Sequence, residues 1–595
     1  MLFLAVTLLI STSLALGKPV DETSEAFNQS ATLDKAGNFV VYWNYNSSHV
    51  TFEVHVKTHG YVGFGLSPNG NMFPADVVVG WVKNGHVFFK DMHTIAHAHP
   101  VVDKSQDWFL LHGEENDMGT SLRFVRKLDT CDADDRVITN ATQRLIYSYH
   151  PDDPADEHSL VYHGGERRGA KSVMLLNVNA PPDVISHEDV KVFDLTAGNY
   201  EVPSNDTTYM CVGYQMEDIG GKHHMVMFEP LFTPGNEHMV HHFTVQRCPG
   251  RHPHLHGARG ECFLGFPDGW PACPEVFIGW ATGGGPYYFP PHTGYPVGGA
   301  DDNSFYVMQM HYDNPSMKKG VIDNSGVRIR LTSKLRQHDV GTLIIGHDVT
   351  PLQVIPPRES SFVSKGYCAD HCLSQTMAGQ NTDEFRIISV MQHAHLLATG
   401  MKTRHFRNGT ELPPIIDDPS YDFYFQEFRP LPDEVVVRKG DSLSVECTYS
   451  TIGRTTPAFG GLTTRDEMCE AFIYHYPRLD LNVCESRPDM NTIFNRTFNR
   501  NYYDSNSTDS FMYFMKHEFD WSDQTRINQF KADLNSAIYR TGCHGTHTQA
   551  DARKVGTLVF TFHFDERTVV PYIPSKSQCD VTDHAINPNL ANIVG

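Results

Sequence analysis

The chain has 595 residues, too many for a single hydrophobic core, and its length predicts about three or four domains. Its 48 basic and 70 acidic residues give a formal net charge of -22, which argues against nucleic acid and anionic membrane surfaces as partners and mildly favours cationic small molecules. The 34 histidines stand out, because imidazole is the commonest metal ligand.

Leu2 to Leu16 form an apolar run ending in Ala15-Leu16-Gly17, a small-x-small pattern that reads as a secretory signal over residues 1–17. No later run reaches the roughly 18 apolar residues of a spanning helix, and the tail from Asn587 to Gly595 carries no lipid-anchor signal. The expected location is therefore the secretory lumen or the outside of the cell. Sequons at Asn28, Asn46, Asn140, Asn205, Asn408, Asn495 and Asn506 agree with it, and each would be a surface position if glycosylated. The 12 cysteines show no zinc-ribbon spacing, so six disulfides are expected.

From Ala31 to Leu176 short β-type runs alternate with turns: Phe39-Val-Val-Tyr-Trp, Val50-Thr-Phe-Glu-Val-His-Val, Tyr61-Val-Gly-Phe-Gly-Leu, Asp76-Val-Val-Val-Gly-Trp and Val87-Phe-Phe. This spacing predicts a β-sandwich. The turn Ser67-Pro-Asn-Gly-Asn and the following Ala75-Asp76 resemble the extracellular DOMON domain, a binding module fused to redox enzymes. By that resemblance Asp76 and Asp107 would share a structural cation, while His93, His97 and His99 read as a solvated loop.

Asn177 to Val192, with two prolines, reads as a linker. A second all-β region runs to about Arg336 and holds two adjacent pairs, His223-His224 and His241-His242. Neighbours on a regular strand face opposite ways, so an adjacent pair serves one metal only where the strand bends or ends. Spacing alone does not choose between the pairs. A further histidine, His311, lies in Tyr306-Val-Met-Gln-Met-His-Tyr-Asp-Asn-Pro315. Then Phe385-Arg-Ile-Ile-Ser-Val-Met-Gln392 reads as a strand leading into His393-Ala394-His395, whose two imidazoles would share a face. Met468 follows in Gly460-Gly-Leu-Thr-Thr-Arg-Asp-Glu-Met-Cys469. Beyond Cys484 the chain turns polar, with a helical pattern from Trp521 to Tyr539 that would serve packing or dimerisation.

The segments around His241, His311, His393 and Met468, in this order, closely resemble the ascorbate-dependent copper type II monooxygenases, the group of dopamine β-hydroxylase, from about Ala31 to Cys579. Val321-Ile-Asp-Asn-Ser-Gly326 and Gln426-Glu-Phe look most like its dopamine β-hydroxylase-like members. The resemblance implies an all-β chain: a DOMON sandwich over 31–176, then two jelly-roll-type copper domains over 193–340 and 341–500, facing each other across an open cleft, and an extension over 501–595. It implies one copper on His241, His242 and His311 and another on His393, His395 and Met468, with His223 and His224 left to the scaffold. The second set would be the catalytic one, and ascorbate and O2 the co-substrates. The loop His252-Pro-His-Leu-His256 lies outside every motif. Implied cystines are Cys131 with Cys579, Cys211 with Cys262, Cys248 with Cys273, Cys368 with Cys484, Cys372 with Cys543 and Cys447 with Cys469, so any dimer would be non-covalent.

A thioether is soft and suits Cu(I), whereas an all-nitrogen set suits a copper that cycles between oxidation states. A three-histidine zinc site is the chemical alternative, and it would leave Met468 without a role. One position departs from the family, and two more bear on the substrate. Residues 468, 470, 472 and 474 of one strand share a face, so Glu470, Phe472 and Tyr474 are the expected substrate contacts; where family members carry a tyrosine four residues after the methionine, this chain has Phe472. Peptide-amidating relatives bind a substrate carboxylate at the positions of Met391 and Glu470, and a glutamate there would repel it, which points instead to a small amine of phenylethylamine type. The expected function is hydroxylation of a small organic substrate. Its rival is a secreted binding protein that keeps the copper scaffold without activity, with DOMON as its ligand-binding part.

Overall fold

The structure is a computed structural model that describes residues 26–176, 190–216, 219–263, 265–299, 302, 304–498, 508–535, 538–545, 558–564, 566–574 and 579. The signal segment, residues 177–189 of the linker, Asn506 and the tail from Asn587 lie outside the described residues. The chain forms two compact units that divide between Leu176 and Asn177, where the linker was expected. Both are β-sandwich structures. The six sequon asparagines among the described residues are all exposed.

The first unit stacks a five-stranded sheet on a six-stranded one. Alternation along Phe39–Tyr45 and His49–Val56 sends Phe39, Val41, Phe52 and Val54 inward, where they meet Phe64, Trp108 and Phe124. Asp76–Lys83 is buried along both faces. Its Val78 joins that core, while Val77, Val79 and Trp81 form a smaller apolar cluster with Tyr61 and Met92.

The second unit holds two sandwiches. In the first, the sheet ordered Arg259–Glu261, Thr207–Tyr214, Phe305–Asp313, Val240–Cys248, Glu275–Ala281 lies against a sheet built on Val190–Thr196, Gly326–Thr332 and His223–Leu231. The other sandwich centres on a seven-stranded sheet in which Cys469–Tyr476 runs between Glu384–Ala394 and Gly341–His347. The expected helix near Trp521 is Gln524–Leu534, its N-terminus capped by the Asp523 carboxylate. Part of the expected C-terminal extension belongs to the second sandwich: Ile538–His544 and Leu558–His563 are the last two strands of the seven-stranded sheet.

Five implied cystines are formed in this unit: 211–262, 248–273, 368–484, 372–543 and 447–469. One apolar core is shared by its two sandwiches. Ile388, Met391, Phe428, Phe472 and Tyr474 of the second pack with Tyr287, Phe289 and Tyr295 of the first.

Candidate metal centre

His242 stands directly opposite His311 on neighbouring strands, and the ladder slips between Val240 and His242. This bulge takes His241 out of alternation, which is how two adjacent residues come to serve one point in space. His241 Nδ1 lies 3.0 Å from His242 Nδ1, which lies 3.4 Å from His311 Nδ1. One ligand atom from each of the three falls within 4.8 Å of the others. Stacked rings hold the outer imidazoles: Tyr209 on His311 with centroids 4.4 Å apart, and Phe423 on His241 at 4.4 Å. His241 Nε2 and His311 Nε2 are buried without a hydrogen-bond partner among the described residues. Burial, reinforced by neighbouring imidazoles, pushes His242 and His311 well below the usual histidine range and His241 down to about 3. All three are neutral, the form that binds metal, and their Nδ1 atoms converge on one point.

The second set presents the opposite nitrogens. His393 Nδ1 donates to Gln426 Oε1 at 2.7 Å, and His395 Nδ1 donates to the Asp466 carbonyl at 3.0 Å. Both acceptors lack a proton to give, since the Gln426 amide nitrogen is committed to the Phe423 carbonyl. The tautomer of each neutral ring is therefore fixed, and Nε2 keeps its lone pair. Ladder register sets His393 opposite Glu470 and Ala394 opposite Cys469, which aligns His395 with Met468. Met468 is fixed through its backbone. Tyr449 donates its hydroxyl to the Met468 carbonyl at 2.5 Å, and the next residue, Cys469, is tied to Cys447. The fully buried Glu467 accepts the backbone N–H groups of His395 at 3.1 Å and Leu397 at 2.8 Å. Burial pushes its carboxyl up to about 8 against those bonds.

The open cleft is corrected by these contacts. The rings of His242 and His393 stand 5.9 Å apart, and Phe423, stacked on His241, lies 6.1 Å from His395. The cause is the shared core: Tyr474 stacks on Phe428 at 4.1 Å and meets Tyr287 and Phe289 at 5.3 and 5.1 Å. Tyr209 also donates its hydroxyl to the Leu462 carbonyl, joining the two sandwiches beside the histidines.

Phe472 and Tyr474 face this junction as their alternation predicts, with the Phe472 ring 6.2 Å from that of His393. Glu470 is buried and hydrogen-bonded to Glu485, and burial raises both carboxyls above the usual range. The scaffold histidines have other partners: His224 Nε2 meets Asp339 at 2.8 Å, and His223 Nδ1 donates to the Gly221 carbonyl. No metal-like cluster among the described residues includes His252, His254 or His256. In the first unit His97 and His99 are exposed, whereas His93 pairs with the buried Asp103. Asp76 is grouped with Asp91 and Asp135 and ion-paired to Arg126; Asp107 contributes its backbone N–H to Asp91. Gln426 and Glu467 lie in motifs of the resemblance, but the sequence alone assigned them no role at the centre; Phe423, Tyr209 and Glu485 carried no signal of their own, because each acts through a partner distant in sequence.

Both imidazole sets fit a soft or borderline metal: neutral, buried and with lone pairs directed inward. The profile of the copper type II ascorbate-dependent monooxygenase N-terminal domain matches residues 193–319, that of the C-terminal domain residues 338–497, and that of the DOMON domain residues 35–150. The chain belongs to the copper type II ascorbate-dependent monooxygenase family.

Among relatives, DBH-like monooxygenase protein 1 of Gallus gallus is 39% identical over 462 residues, 77% of this chain and 75% of that protein. DBH-like monooxygenase protein 2 of Mus musculus is 36% identical over 496 residues, 82% and 78% of the two chains. Dopamine beta-hydroxylase of Canis lupus familiaris is 33% identical over 461 residues, 77% and 73%. Among the described residues no helix is long and apolar enough to cross a membrane.

Proposed function

We propose that this chain is a secreted or lumenal dicopper hydroxylase that uses ascorbate and O2 on a small amine. The observation that carries the reading is the difference between the two histidine sets: Nδ1 atoms converge in one, and Nε2 atoms are left available in the other because Gln426 and Asp466 hold the Nδ1 protons. His241, His242 and His311 would hold one copper, and His393, His395 and Met468 the other. Copper bound there supplies one-electron chemistry and the activation of O2, which no side chain can supply. The protein residues do the positioning: Gln426 and Asp466 orient the second imidazole pair, Glu467 holds the backbone N–H groups of His395 and Leu397, and Phe423 packs on His241 and beside His395. X-ray absorption of the Cu(I) protein tests the assignment. One sulfur neighbour per two coppers is expected, lost in Met468→Ala; a sulfur signal that survives refutes it.

Glu470 is the residue that favours the amine. By alternation it shares a strand face with Met468, where a carboxyl disfavours an anionic substrate and, on giving up the proton that burial holds on it, would pair with an ammonium group. Glu470→Gln should raise KM for tyramine or dopamine while leaving a neutral phenyl substrate unchanged, and equal kinetics in both proteins would remove the idea. Phe472 favours the binding-protein reading, since no hydroxyl stands at that position beside His393. That reading predicts copper uptake without substrate-stimulated turnover.

A further inference from the structure

In the first unit, the six-stranded sheet carries apolar side chains on the face turned away from the sandwich core, where Tyr61, Val77 and Val79 belong to their own cluster. Exposed, such a face would be a liability. The segment 150–167 is tied across it: the Tyr61 hydroxyl donates to the Val161 carbonyl at 2.6 Å, and Lys83 Nζ donates to the Pro154 carbonyl at 3.0 Å. This cover does not collapse onto the sheet. A cavity of about 710 Å³ remains, within the range of small-molecule sites. Val77, Val79 and Ile146 line it together with the rings of Tyr61 and Tyr162.

The charges of the lining run against those of the chain. Among the described residues no Asp or Glu lines the cavity, and its one charged side chain is the Arg168 guanidinium; burial holds His163 below the usual histidine range and so neutral. In a protein of net charge -22 this is a local reversal of sign, and it selects against the cations that the rest of the surface attracts. The wall is open to large apolar ligands as well: Tyr162 is 67% exposed and Val161 51%. Aromatic side chains with one exposed guanidinium are the elements that recognise a flat apolar body bearing a carboxylate.

We propose that the DOMON unit binds a flat, apolar organic acid in this cavity, its body against Val77, Val79, Ile146 and the tyrosine rings and its carboxylate at Arg168. The site belongs to the first unit and is independent of the copper reading.

The test uses the full chain and two probes with one apolar body, all-trans-retinoic acid and retinol, titrated by quenching of tryptophan fluorescence. Retinoic acid should bind saturably, one per chain, and about tenfold more tightly than retinol, the scale of one charge-assisted hydrogen bond. Arg168→Gln should abolish the preference while retaining retinol binding. Ala170→Trp, a filling substitution at an exposed lining position, should weaken both probes at an unchanged melting temperature. Absence of saturable retinoic acid binding, equal affinity for the two probes, a preference that survives Arg168→Gln, or binding indifferent to Ala170→Trp would each overturn the proposal.

Discussion

Replacing Asp91 by asparagine removes an ionisable group from a place where burial opposes charge. Asp91 is fully buried, its Oδ2 accepts the N–H groups of Asp107 at 2.7 Å and Trp108 at 3.3 Å, and its Oδ1 meets no partner among the described residues. Burial, with the nearby Asp135, Asp76 and Asp103 adding to it, pushes the carboxyl up to about 8. The folded value thus lies above the unfolded one, so the folded chain keeps a proton that the unfolded chain releases. The stabilising contribution is whole below about pH 4 and is lost as pH rises toward 8. At about 1.4 kcal/mol per unit, a rise from 3.8 to about 8 is worth on the order of 6 kcal/mol at most, and relaxation of the surroundings leaves a few kcal/mol as the working figure. Asparagine keeps an oxygen for the two N–H groups, never ionises, and sets an amide donor among the carboxylates. Asp91→Asn should therefore stabilise the first unit by a few kcal/mol at pH 8 and by little at pH 4.5. Amide hydrogen exchange of peptides covering Asp76–Lys83 and Gly119–Lys127 reads this unit alone; EDTA keeps divalent cations off the carboxylates. Loss of stability at pH 8, or an equal effect at both pH values, would refute the reasoning.

Glu467→Ala leaves the N–H groups of His395 and Leu397 bare in the interior, which costs about 1–3 kcal/mol each and should lower the melting temperature of the second unit. A calorimetric scan showing no change would mean that the Glu467 carboxylate is not what fixes that backbone. Phe472→Tyr returns a hydroxyl to the face shared with His393; if turnover is limited by orientation there, kcat rises by up to about tenfold with little change in KM, the worth of one hydrogen bond. Steady-state kinetics on tyramine decides it, and an unchanged kcat excludes Phe472 as the limiting feature.

Local pattern made much of the centre legible. His393 and His395 share a face because strands alternate, and Met468 aligns with them by the same rule applied to the neighbouring strand. The condition on an adjacent pair, that its strand must bend, is met by the bulge at His241. Pattern could not show what depends on distant pairing. Gln426 reaches His393 from 33 residues away, and Glu485 lies on a strand whose neighbour had to be known before it could be set against Glu470. Closure of the cleft depends on Tyr474, Phe428 and Tyr287 packing as one cluster, and each of them alone reads as an ordinary core residue. The cavity of the first unit escaped for a similar reason. His97 and His99 read as solvated, and only the course of the chain from Pro154 to Arg167 shows what they border.

The central claim is two coppers per chain with ascorbate-dependent chemistry at the Met468 set. It is tested most directly by measuring copper content together with ascorbate-dependent O2 uptake on the purified chain, with tyramine and dopamine as substrates and Met468→Ala as control. The predicted result is two coppers per chain in the parent protein and amine-stimulated uptake that the substitution abolishes. No copper after reconstitution, or uptake equal in the parent and Met468→Ala proteins, would contradict it.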